Sequence, residues 1–383
     1  MVAVGRRIGG DDMKNVLVTG GCGFIGSHLV DALIEQGHRV RVLDMLVSQV
    51  HGEGRPEHLH ADAELLVGEV GDRELLDQAL GGIDTVFHEA AEVGVGQSMY
   101  EIERYVHGNT LATSVLMEAV TAHRDQIGKV VVASSMSIYG EGAYTCPEHG
   151  RVFPLPRPTA QLLERRWELE CPTCGAPLTP TGTPEEKPLN PTSVYAVTKQ
   201  DQEQLCLIVG AAYDIPTVAL RYFNVYGPRQ ALSNPYTGVC AIFSSRLLND
   251  QAPLIFEDGG QARDFVHVSD IVRANLLALD TDAADYRAVN IGTGRATTVR
   301  QVAELITTGL GKSVEPELVG KFREGDIRHC VGDISSAERL LGYAPRTTLE
   351  QGLPELLEWV GRQQAADRVV QATSELEAHR LVR

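Results

Sequence analysis

A tyrosine and a lysine stand one helical turn apart in the segment Tyr195-Ala-Val-Thr-Lys199. Residues four apart on a helix share a face, so the two side chains can act together. A neighbouring cation favours the phenolate, which makes Tyr195 a candidate general base and Lys199 the group that lowers its pKa. Moving a phenol from pKa ~10 towards neutrality requires about 4 kcal/mol of differential interaction. The competing interpretation is a solvated helix face, where this spacing is common.

Two serines, Ser134 and Ser135, end the unbroken apolar run that begins at Lys129. Such a run predicts a strand that is buried on both faces of a parallel sheet. Hydroxyl groups at its carboxyl end would lie where the ligands of parallel sheets bind. This position favours a catalytic role for Tyr195 and Lys199 over a solvated face.

Two pairs of metal-binding residue types occur in a proline-rich segment, Cys146 with His149 and Cys171 with Cys174. Each pair is separated by two residues, and Gly175 relieves the turn after the second pair. Together the pairs provide the four ligands of a tetrahedral structural zinc site. No position would remain for water, so the metal would have a structural role. Ordinary thiols in a surface loop, or a disulfide, are the alternatives.

The segment from Lys14 to Asp44 predicts how a nucleotide would be held. It reads as a strand, a loop with Gly20, Gly23 and Gly26, a helix, and a second strand. The glycines permit a tight turn, backbone approach to a pyrophosphate and close helix packing, and the pyrophosphate meets the helix N-terminus. Asp44 can accept hydrogen bonds from an adenosine ribose and would repel a 2′-phosphate. The pattern therefore predicts NAD and not NADP.

Strands and helices alternate through the first part of the chain. Predicted strands cover 15–19, 40–44, 65–67, 85–88, 129–135 and 216–222, and predicted helices cover 27–36, 74–80, 100–123 and 193–213. This alternation predicts an α/β fold with a doubly wound parallel (Rossmann) sheet.

Strands and helices alternate less regularly in the second part of the chain, which suggests that the chain divides into two parts. We expect an NAD-binding domain over 14–225, with the Cys/His insert at 143–188. Residues 226–360 are expected to form a smaller α/β lobe that binds substrate, with a strand near 288–292 that returns to the first sheet. Residues 1–13 are expected to be a disordered leader, and residues 361–383 a polar tail without identifiable chemistry.

Composition limits the partners. The formal net charge of −17 argues against nucleic acid or an anionic membrane as the main partner. No apolar run approaches the roughly 20 residues needed to span a bilayer. Seven cysteines, an odd number in a chain whose start lacks the apolar core of a signal peptide, favour a cytoplasmic location.

Several short motifs occur in the order of a known family. They are Thr19-Gly-Gly-Cys-Gly-Phe-Ile-Gly26, His88-Glu-Ala-Ala91, Ser134-Ser-Met-Ser-Ile-Tyr-Gly140, Tyr195-Ala-Val-Thr-Lys199, Arg221-Tyr-Phe-Asn224, Arg263-Asp-Phe-Val-His267 and Arg323-Glu-Gly-Asp326. On these motifs the chain resembles an extended short-chain dehydrogenase/reductase of the nucleotide-sugar epimerase/dehydratase family, from about Lys14 to Trp359.

The resemblance implies a role for each matching residue. Ser135 would hold the reacting oxygen of a sugar, Tyr195 would be the base, and Lys199 would lower its pKa and bind the nicotinamide ribose. Residues implied to contact NAD are also Gly20, Gly23, Phe24, Ile25, Gly26, Asp44, Glu69, Val70, Ala90, Ala91 and Asn109. Residues implied to bind substrate are Ser135, Ser137, Asn224, Arg263, Arg323 and Asp326. A surface ion pair is the alternative for each arginine taken alone.

Met136 and Ser137 follow the catalytic serine, and they limit which reactions of the family are possible. The family's 4,6-dehydratases carry Asp-Glu at these positions, and its decarboxylases carry a glutamate at the second. Without that acid, the resemblance implies C4 epimerisation through a 4-keto sugar, with tightly bound NAD that is recycled. Glu69 also replaces the aspartate that usually precedes the adenine contact.

The insert, together with Arg221 to Gln230, resembles the group acting on dTDP-6-deoxyhexoses. An epimerase for UDP-hexoses or UDP-uronates is the alternative within the enzyme class. A non-catalytic NAD-binding scaffold or redox sensor is the alternative from another class, and it would not need the catalytic set. In the family, two helices of each chain form a four-helix dimer interface. They correspond here to the helix that begins near Tyr100 and the helix that carries Tyr195. The resemblance therefore implies a homodimer.

Overall fold

The computed structural model describes residues 13–51 and 54–383, so the expected leader lies outside these ranges except for Met13. The strands are β1 (Asn15–Thr19), β2 (Arg39–Asp44), β3 (Glu64–Val67), β4 (Thr85–His88), β5 (Lys129–Ser135), β6 (Ala143–Cys146), β7 (Gly150–Val152), β8 (Thr179–Thr183), β9 (Thr217–Tyr222), β10 (Asn224–Tyr226), β11 (Leu254–Ile255), β12 (Ala262–His267), β13 (Arg287–Ile291), β14 (Ala296–Thr298), β15 (Glu317–Leu318) and β16 (His329–Gly332).

The α-helices are α1 (Phe24–Glu35), α2 (Ser48–His51), α3 (Arg73–Leu80), α4 (Val95–Ser98), α5 (Ile102–Tyr105), α6 (Ala112–Ala122), α7 (Thr159–Leu163), α8 (Val194–Ala212), α9 (Val239–Leu248), α10 (Val268–Asp280), α11 (Val299–Gly309), α12 (Ser335–Leu341), α13 (Leu349–Val360) and α14 (Val369–Ala378). A π-helical stretch covers Val106–Leu111, and a 3₁₀ turn covers Met136–Tyr139.

Seven parallel strands form the first sheet, in the order β13-β9-β5-β4-β1-β2-β3. The inner strands β1, β4, β5 and β9 are rich in apolar residues and almost entirely buried. This burial is what a sheet covered by helices on both faces requires. The direction of winding reverses between β1 and β4, which opens a crevice at the carboxyl ends of the strands. The prediction of a doubly wound α/β fold is confirmed.

Helices cover both faces of this sheet. On one face α1 packs against α10, and Leu29 of α1 shares an apolar cluster with Ile271 of α10. On the other face α3, α6 and α8 pack together, with Leu76 and Leu116 in a second cluster. The two apolar layers hold the strands rigidly, so the residues at the strand ends have defined positions.

The helix expected over 100–123 is interrupted. It consists of α5, the π-helical stretch and α6 in direct succession. The π-helical turn carries the buried Asn109, whose side chain accepts a hydrogen bond from the Glu92 N–H at 2.7 Å and donates to the Glu92 carbonyl at 3.1 Å. Single π-helical turns often occur at functional sites, and this one holds the loop after β4.

The insert joins the C-terminal lobe instead of the first sheet. Its strands β6, β7 and β8 continue a second sheet in the order β10-β12-β16-β8-β6-β7, and β14 pairs with β12. β8 lies parallel to β16, with Gly182 opposite Val331. The insert therefore lies beside β16, a strand far from it in the sequence, while β13 pairs with β9 of the first sheet.

The C-terminal tail folds back onto the lobe. Val369, Ala372 and Leu376 of α14 are buried. The last residue, Arg383, exchanges two backbone hydrogen bonds with Phe322, at 2.8 and 3.0 Å. Within the described ranges, the longest apolar stretches of helix are too short or too polar to cross a membrane.

Candidate active site

A cavity of about 1270 Å³ lies at the carboxyl ends of the strands of the first sheet. Its walls include the glycine loop after β1, the ends of β2, β5 and β9, and the loops after β3 and β4. Sites for one small ligand typically enclose about 300–1,000 Å³, so this cavity has room for a dinucleotide and a second ligand.

The glycine loop fits a diphosphate. Gly20 adopts φ +71°, a conformation that side chains disfavour, and a Cβ at Gly26 would lie 2.2 Å from the Gly20 carbonyl oxygen. The N-cap of α1, Gly23, provides no side-chain hydrogen bond, so the amide groups of the first turn remain available to an anion. These features match the diphosphate of NAD.

Asp44 lies at the end of β2 and faces the same cavity. Its carboxylate accepts hydrogen bonds from the Cys22 N–H at 3.0 Å and the Leu46 N–H at 2.9 Å. These bonds fix the orientation of the carboxylate and leave acceptor capacity for ribose hydroxyls. His51 lies 3.6 Å from one carboxylate oxygen.

Most of the other residues predicted to contact NAD line the cavity. They are Phe24, Ile25, Glu69, Val70, Ala90 and Ala91. Asn109 is different, because it is fully buried and does not line the cavity. Its side chain also donates to the Thr198 hydroxyl at 2.9 Å, so it supports the wall from behind.

The three residues predicted to be catalytic meet at the cavity wall. Ser135 ends β5, whereas Tyr195 and Lys199 lie on the first turns of α8. The Tyr195 N–H donates to the Ser98 hydroxyl at 3.0 Å, which fixes the start of α8. Lys199 donates to the Ala133 carbonyl at 2.5 Å and to the Gln202 side chain at 2.7 Å.

Burial controls the protonation of this set. It raises the pKa of Tyr195 to about 12, and the hydrogen bond with Ser135 offsets part of the rise. Burial also lowers the pKa of Lys199 to about 8, against the opposing effect of Glu89. A phenol in this site therefore needs additional positive charge before it can serve as a base near neutral pH.

One cavity residue with a shifted pKa has no predicted role. Burial raises the pKa of Glu89 to about 7, although the Tyr222 hydroxyl donates to its carboxylate at 2.8 Å and Lys199 lies near. Glu89 belongs to the motif that begins at His88, so its position was visible in the sequence. Its neighbours Tyr222 in β9 and Lys199 in α8 are distant in the sequence, so the shifted pKa of Glu89 could not be predicted from the motif.

Two of the predicted substrate residues also face the cavity. The Ser137 hydroxyl donates to the Ser135 hydroxyl at 2.9 Å. Asn224 presents a buried side-chain oxygen that has no hydrogen-bond partner among the described residues. An unpaired amide of this kind at a cavity wall is ready to bind a polar ligand group.

The other three predicted substrate residues lie beyond the wall. The Arg263 guanidinium donates to Asp326 at 3.1 Å and to the carbonyls of Ala262, Ile327 and Arg328. Arg323 lies over the Phe256 ring at 4.2 Å, and its Nε atom has no partner in the described part of the chain. Neither arginine nor Asp326 lines the cavity, and burial lowers the pKa of Arg323.

The structure brings the four predicted metal ligands together in the insert. One ligand atom each of Cys146, His149, Cys171 and Cys174 lies within 4.8 Å of every other. The cluster forms around the β6–β7 turn, away from the residues that line the cavity.

Known proteins share this fold over nearly the whole chain. A dTDP-L-rhamnose 4-epimerase from Burkholderia thailandensis is 36% identical over 355 residues, which cover 92% of this chain and 96% of that protein. The crystal structure of UDP-glucose 4-epimerase with UDP-glucose from Thermotoga maritima has a TM-score of 0.74 at 33% identity, covering 91% of this chain and 99% of that one. UDP-glucuronic acid 4-epimerase from Bacillus cereus, in complex with UDP-glucuronic acid and NAD, has a TM-score of 0.74 at 27% identity with the same coverage.

The chain also matches the family described as "NAD dependent epimerase/dehydratase family" over residues 16–160 and 173–292. These ranges contain the glycine loop, Asp44 and the Ser135, Tyr195 and Lys199 set. The residues between the ranges fall in the insert. Sequence, fold and cavity agree, and the chain belongs to the NAD-dependent epimerase/dehydratase family.

Proposed function

We propose that this protein is an isomerase that inverts C4 of a nucleotide-diphosphate sugar through a transient 4-keto sugar. The observation that carries the proposal is the convergence of Ser135, Tyr195 and Lys199 on one cavity that also contains the glycine loop. A scaffold or redox sensor would have no use for a tyrosine base that faces a second ligand space.

The roles of the side chains follow from their positions. Tyr195 takes the proton of the C4 hydroxyl, and the Ser135 hydroxyl hydrogen-bonds to the same sugar oxygen. Lys199, buried and held by Ala133 and Gln202, contributes positive charge behind Tyr195. NAD, which the glycine loop and Asp44 would hold, would supply the acceptor and donor of hydride for C4, so the reaction would have no net redox change. Tyr195 then returns its proton to the new C4 hydroxyl.

The substrate we propose is a dTDP-6-deoxyhexose of the dTDP-L-rhamnose and dTDP-6-deoxy-L-talose type. The 36% identical relative is named for dTDP-L-rhamnose and aligns over 92% of this chain. Met136 and Ser137 carry no carboxylate, and the Ser137 hydroxyl points to Ser135. UDP-hexoses and UDP-uronates are the alternatives, because relatives of similar fold are named for them.

A substrate panel tests this proposal. Purified protein is incubated with dTDP-L-rhamnose, UDP-glucose and UDP-glucuronic acid, and the sugars are analysed by NMR while reduced nicotinamide is followed by absorbance. We expect bound NAD and interconversion of the dTDP-sugar at C4, with the Tyr195→Phe variant as the control for the chemistry. Turnover of only a UDP-sugar would contradict the nucleotide assignment, and bound NAD without turnover of any sugar would contradict the enzymatic one.

We also infer a cytoplasmic homodimer. Support comes from exposed apolar residues on the helices that the family uses for its dimer interface. They are Ile102, Val106 and Leu111 along the interrupted helix, and Val197 and Ile208 on α8. Apolar faces of this kind are costly in water and are covered in stable dimers.

A further inference from the structure

The four ligand atoms of the insert have the spacing of a metal site. Cys146 Sγ lies 3.5 Å from His149 Nδ1 and 3.6 Å from Cys174 Sγ, and Cys171 Sγ lies 3.7 Å from His149 Nδ1. A tetrahedral zinc ion with Zn–S of about 2.3 Å and Zn–N of about 2.0 Å separates its ligands by about 3.5–3.8 Å. A disulfide would need two sulfur atoms about 2.05 Å apart. The three distances therefore match the edges of a zinc tetrahedron and not a disulfide.

The backbone around the second pair has the form of a metal-binding turn. The Gly175 N–H donates to the Cys171 carbonyl at 2.8 Å, and the Cys171 N–H donates to the Ala176 carbonyl at 2.8 Å. Gly175 adopts φ +72°, which lets the chain reverse directly after Cys174. Such a turn presents two thiolates to one ion.

The apolar core beside the four ligands is small. Its buried residues are Tyr144, Cys146, Leu169, Cys171 and Leu178. A core of this size contributes little to stability, whereas metal binding can supply folding free energy directly.

We propose that the insert binds one structural zinc ion through Cys146, His149, Cys171 and Cys174. Three thiolates and one imidazole complete a tetrahedral shell, so no position is open for water or substrate. Zinc binding releases the thiol protons to solvent and involves no change of oxidation state.

The insert also contacts the loop that carries two predicted substrate residues, Arg323 and Asp326. Glu168, close to the metal-binding turn, accepts hydrogen bonds from Arg328 at 3.0 Å and His329 at 3.2 Å. The Trp167 ring packs edge-on against Phe322, with ring centroids 6.5 Å apart.

Arg157 of the insert makes a second connection to this loop, because its guanidinium donates to the Asp326 carbonyl at 3.4 Å, and it also forms a buried ion pair with the segment after β11. Arg157 forms a bidentate pair with Glu257 at 2.8 and 2.9 Å and also donates to the Trp167 carbonyl. The side chains of Arg157 and Glu257 are only 1% and 2% exposed. We infer that the metal holds the insert against this loop, an extension that rests on the proposed function.

Elemental analysis of the full chain, purified without chelator, tests the metal site itself. We expect about one zinc per chain in the wild type and near-complete loss in a Cys171→Ser, Cys174→Ser double variant. The Cys206→Ala variant, which changes a buried thiol in α8 outside the cluster, should keep its zinc. Zinc well below one equivalent in the wild type, stoichiometric iron in its place, or unchanged zinc in the double variant would overturn the proposal.

Cobalt replacement provides a readout that does not depend on folding of a variant. Wild-type protein reconstituted with Co²⁺ should show the visible bands of a tetrahedral thiolate site together with sulfur-to-metal charge transfer. Titration of the denatured, chelator-treated protein should then find all seven cysteines as free thiols. Absence of the tetrahedral bands, or a thiol count two lower, would favour the ordinary-thiol or disulfide alternative.

The inferred effect of the metal on the loop that carries Arg323 and Asp326 is measured separately. Removing the metal from the holoenzyme should raise KM for the nucleotide sugar by about tenfold, comparable to the loss of one hydrogen bond to a charged group. The amount of bound NAD should stay unchanged, because the glycine loop lies in the other sheet layer. Metal-free protein with unchanged KM would refute the extension while leaving the zinc site intact, and the zinc measurements themselves do not depend on epimerase activity.

Discussion

Burial raises the pKa of Tyr195 to about 12, so this hydroxyl becomes a base only when positive charge lies beside it. Replacing it by phenylalanine removes the proton carrier and little contact area. We predict that Tyr195→Phe lowers kcat by about 10²–10⁴-fold, the usual contribution of a general base, while the bound NAD content stays the same. Tyr213→Phe, at the exposed end of the same helix, is the matched control. Substantial epimerisation by the Tyr195 variant would exclude it as the base.

The Asp44 carboxylate accepts hydrogen bonds from the ribose and repels a 2′-phosphate, and two variants can separate these effects. Asp44→Ala removes the ribose acceptor and should weaken NAD binding by roughly 10–100-fold, as expected when a hydrogen bond to a charged group is lost. Asp44→Asn keeps an oxygen acceptor for the Cys22 N–H, removes the charge and replaces the oxygen that accepts from the Leu46 N–H by an amide donor. We therefore expect both variants to tolerate NADP better, with the smaller loss of NAD affinity in the asparagine variant. Cofactor titration checks this, and unchanged NAD preference in both variants would count against the assignment.

Glu89 makes stability depend on pH. Its pKa rises from an ordinary value of 4.5 to about 7 on folding, so the folded chain binds more protons between these values. The free energy of unfolding contributed by this group therefore falls as pH rises from about 4.5 to about 7. Glu89→Gln keeps an acceptor for Tyr222 and abolishes the titration. We predict that the variant gains stability over the wild type through this window, reaching at most roughly 3 kcal/mol above pH 7.

Denaturant unfolding at several pH values measures this difference. The exposed Glu103→Gln variant serves as the control and should follow the wild type at every pH. A Glu89→Gln advantage that is the same at pH 4.5 and pH 8 would show that the carboxyl of Glu89 does not titrate in this window.

At the level of elements, α14 contacts two residues of the cavity wall from outside the cavity. The Glu375 carboxylate accepts hydrogen bonds from Tyr236 at 2.7 Å and Tyr100 at 3.2 Å, and both tyrosines line the cavity. The His379 ring stacks on Tyr100, with centroids 4.7 Å apart. The tail thus acts on the site through two tyrosines and not through a reactive group of its own.

We predict that Glu375→Ala raises KM for the nucleotide sugar by about tenfold, because two cavity tyrosines lose a charged hydrogen-bond partner. NAD binding should be unaffected, since the hydroxyl groups of the two tyrosines bond to each other and to Glu375 and not to the glycine loop. Glu377→Ala removes a neighbouring carboxylate that pairs with the exposed Lys321, and it should behave as the wild type. Steady-state kinetics of both variants, with bound NAD measured in parallel, makes the comparison. Equal KM values would mean that α14 does not shape the substrate space.

At the level of the whole molecule, the proposed dimer depends on the exposed apolar face of α8. Ile208 and Val370 are both 62% exposed, but Ile208 lies on the proposed interface and Val370 lies on α14. We predict that Ile208→Glu produces monomers because it places an unpaired charge in the interface, whereas Val370→Glu leaves the assembly unchanged. Light scattering at micromolar concentration measures the mass. A monomeric wild type, or an Ile208→Glu variant of unchanged mass, would contradict this interface.

The local patterns of the sequence were sufficient to predict the strands and the nucleotide site of the first half of the chain. Strands β1, β4 and β5 have the predicted bounds, and the glycine loop and Asp44 meet at one cavity. Turn chemistry, apolar periodicity and motif spacing are properties of neighbouring residues, so they can be read from the chain. The resemblance to a nucleotide-sugar epimerase family is confirmed by the relatives of this chain.

Only the tertiary structure decided which distant segments meet. It paired the insert with the C-terminal lobe, docked α14 against Tyr100 and Tyr236, and placed Asn109 behind the cavity wall. It also set the pKa of Glu89, because desolvation depends on every element packed around a group. Strand pairing and burial depend on contacts between residues that are far apart in the sequence. No short window of the sequence contains those contacts. That is why the sequence could name the chemistry of this protein, while the fold alone determined the shape and electrostatics of the site.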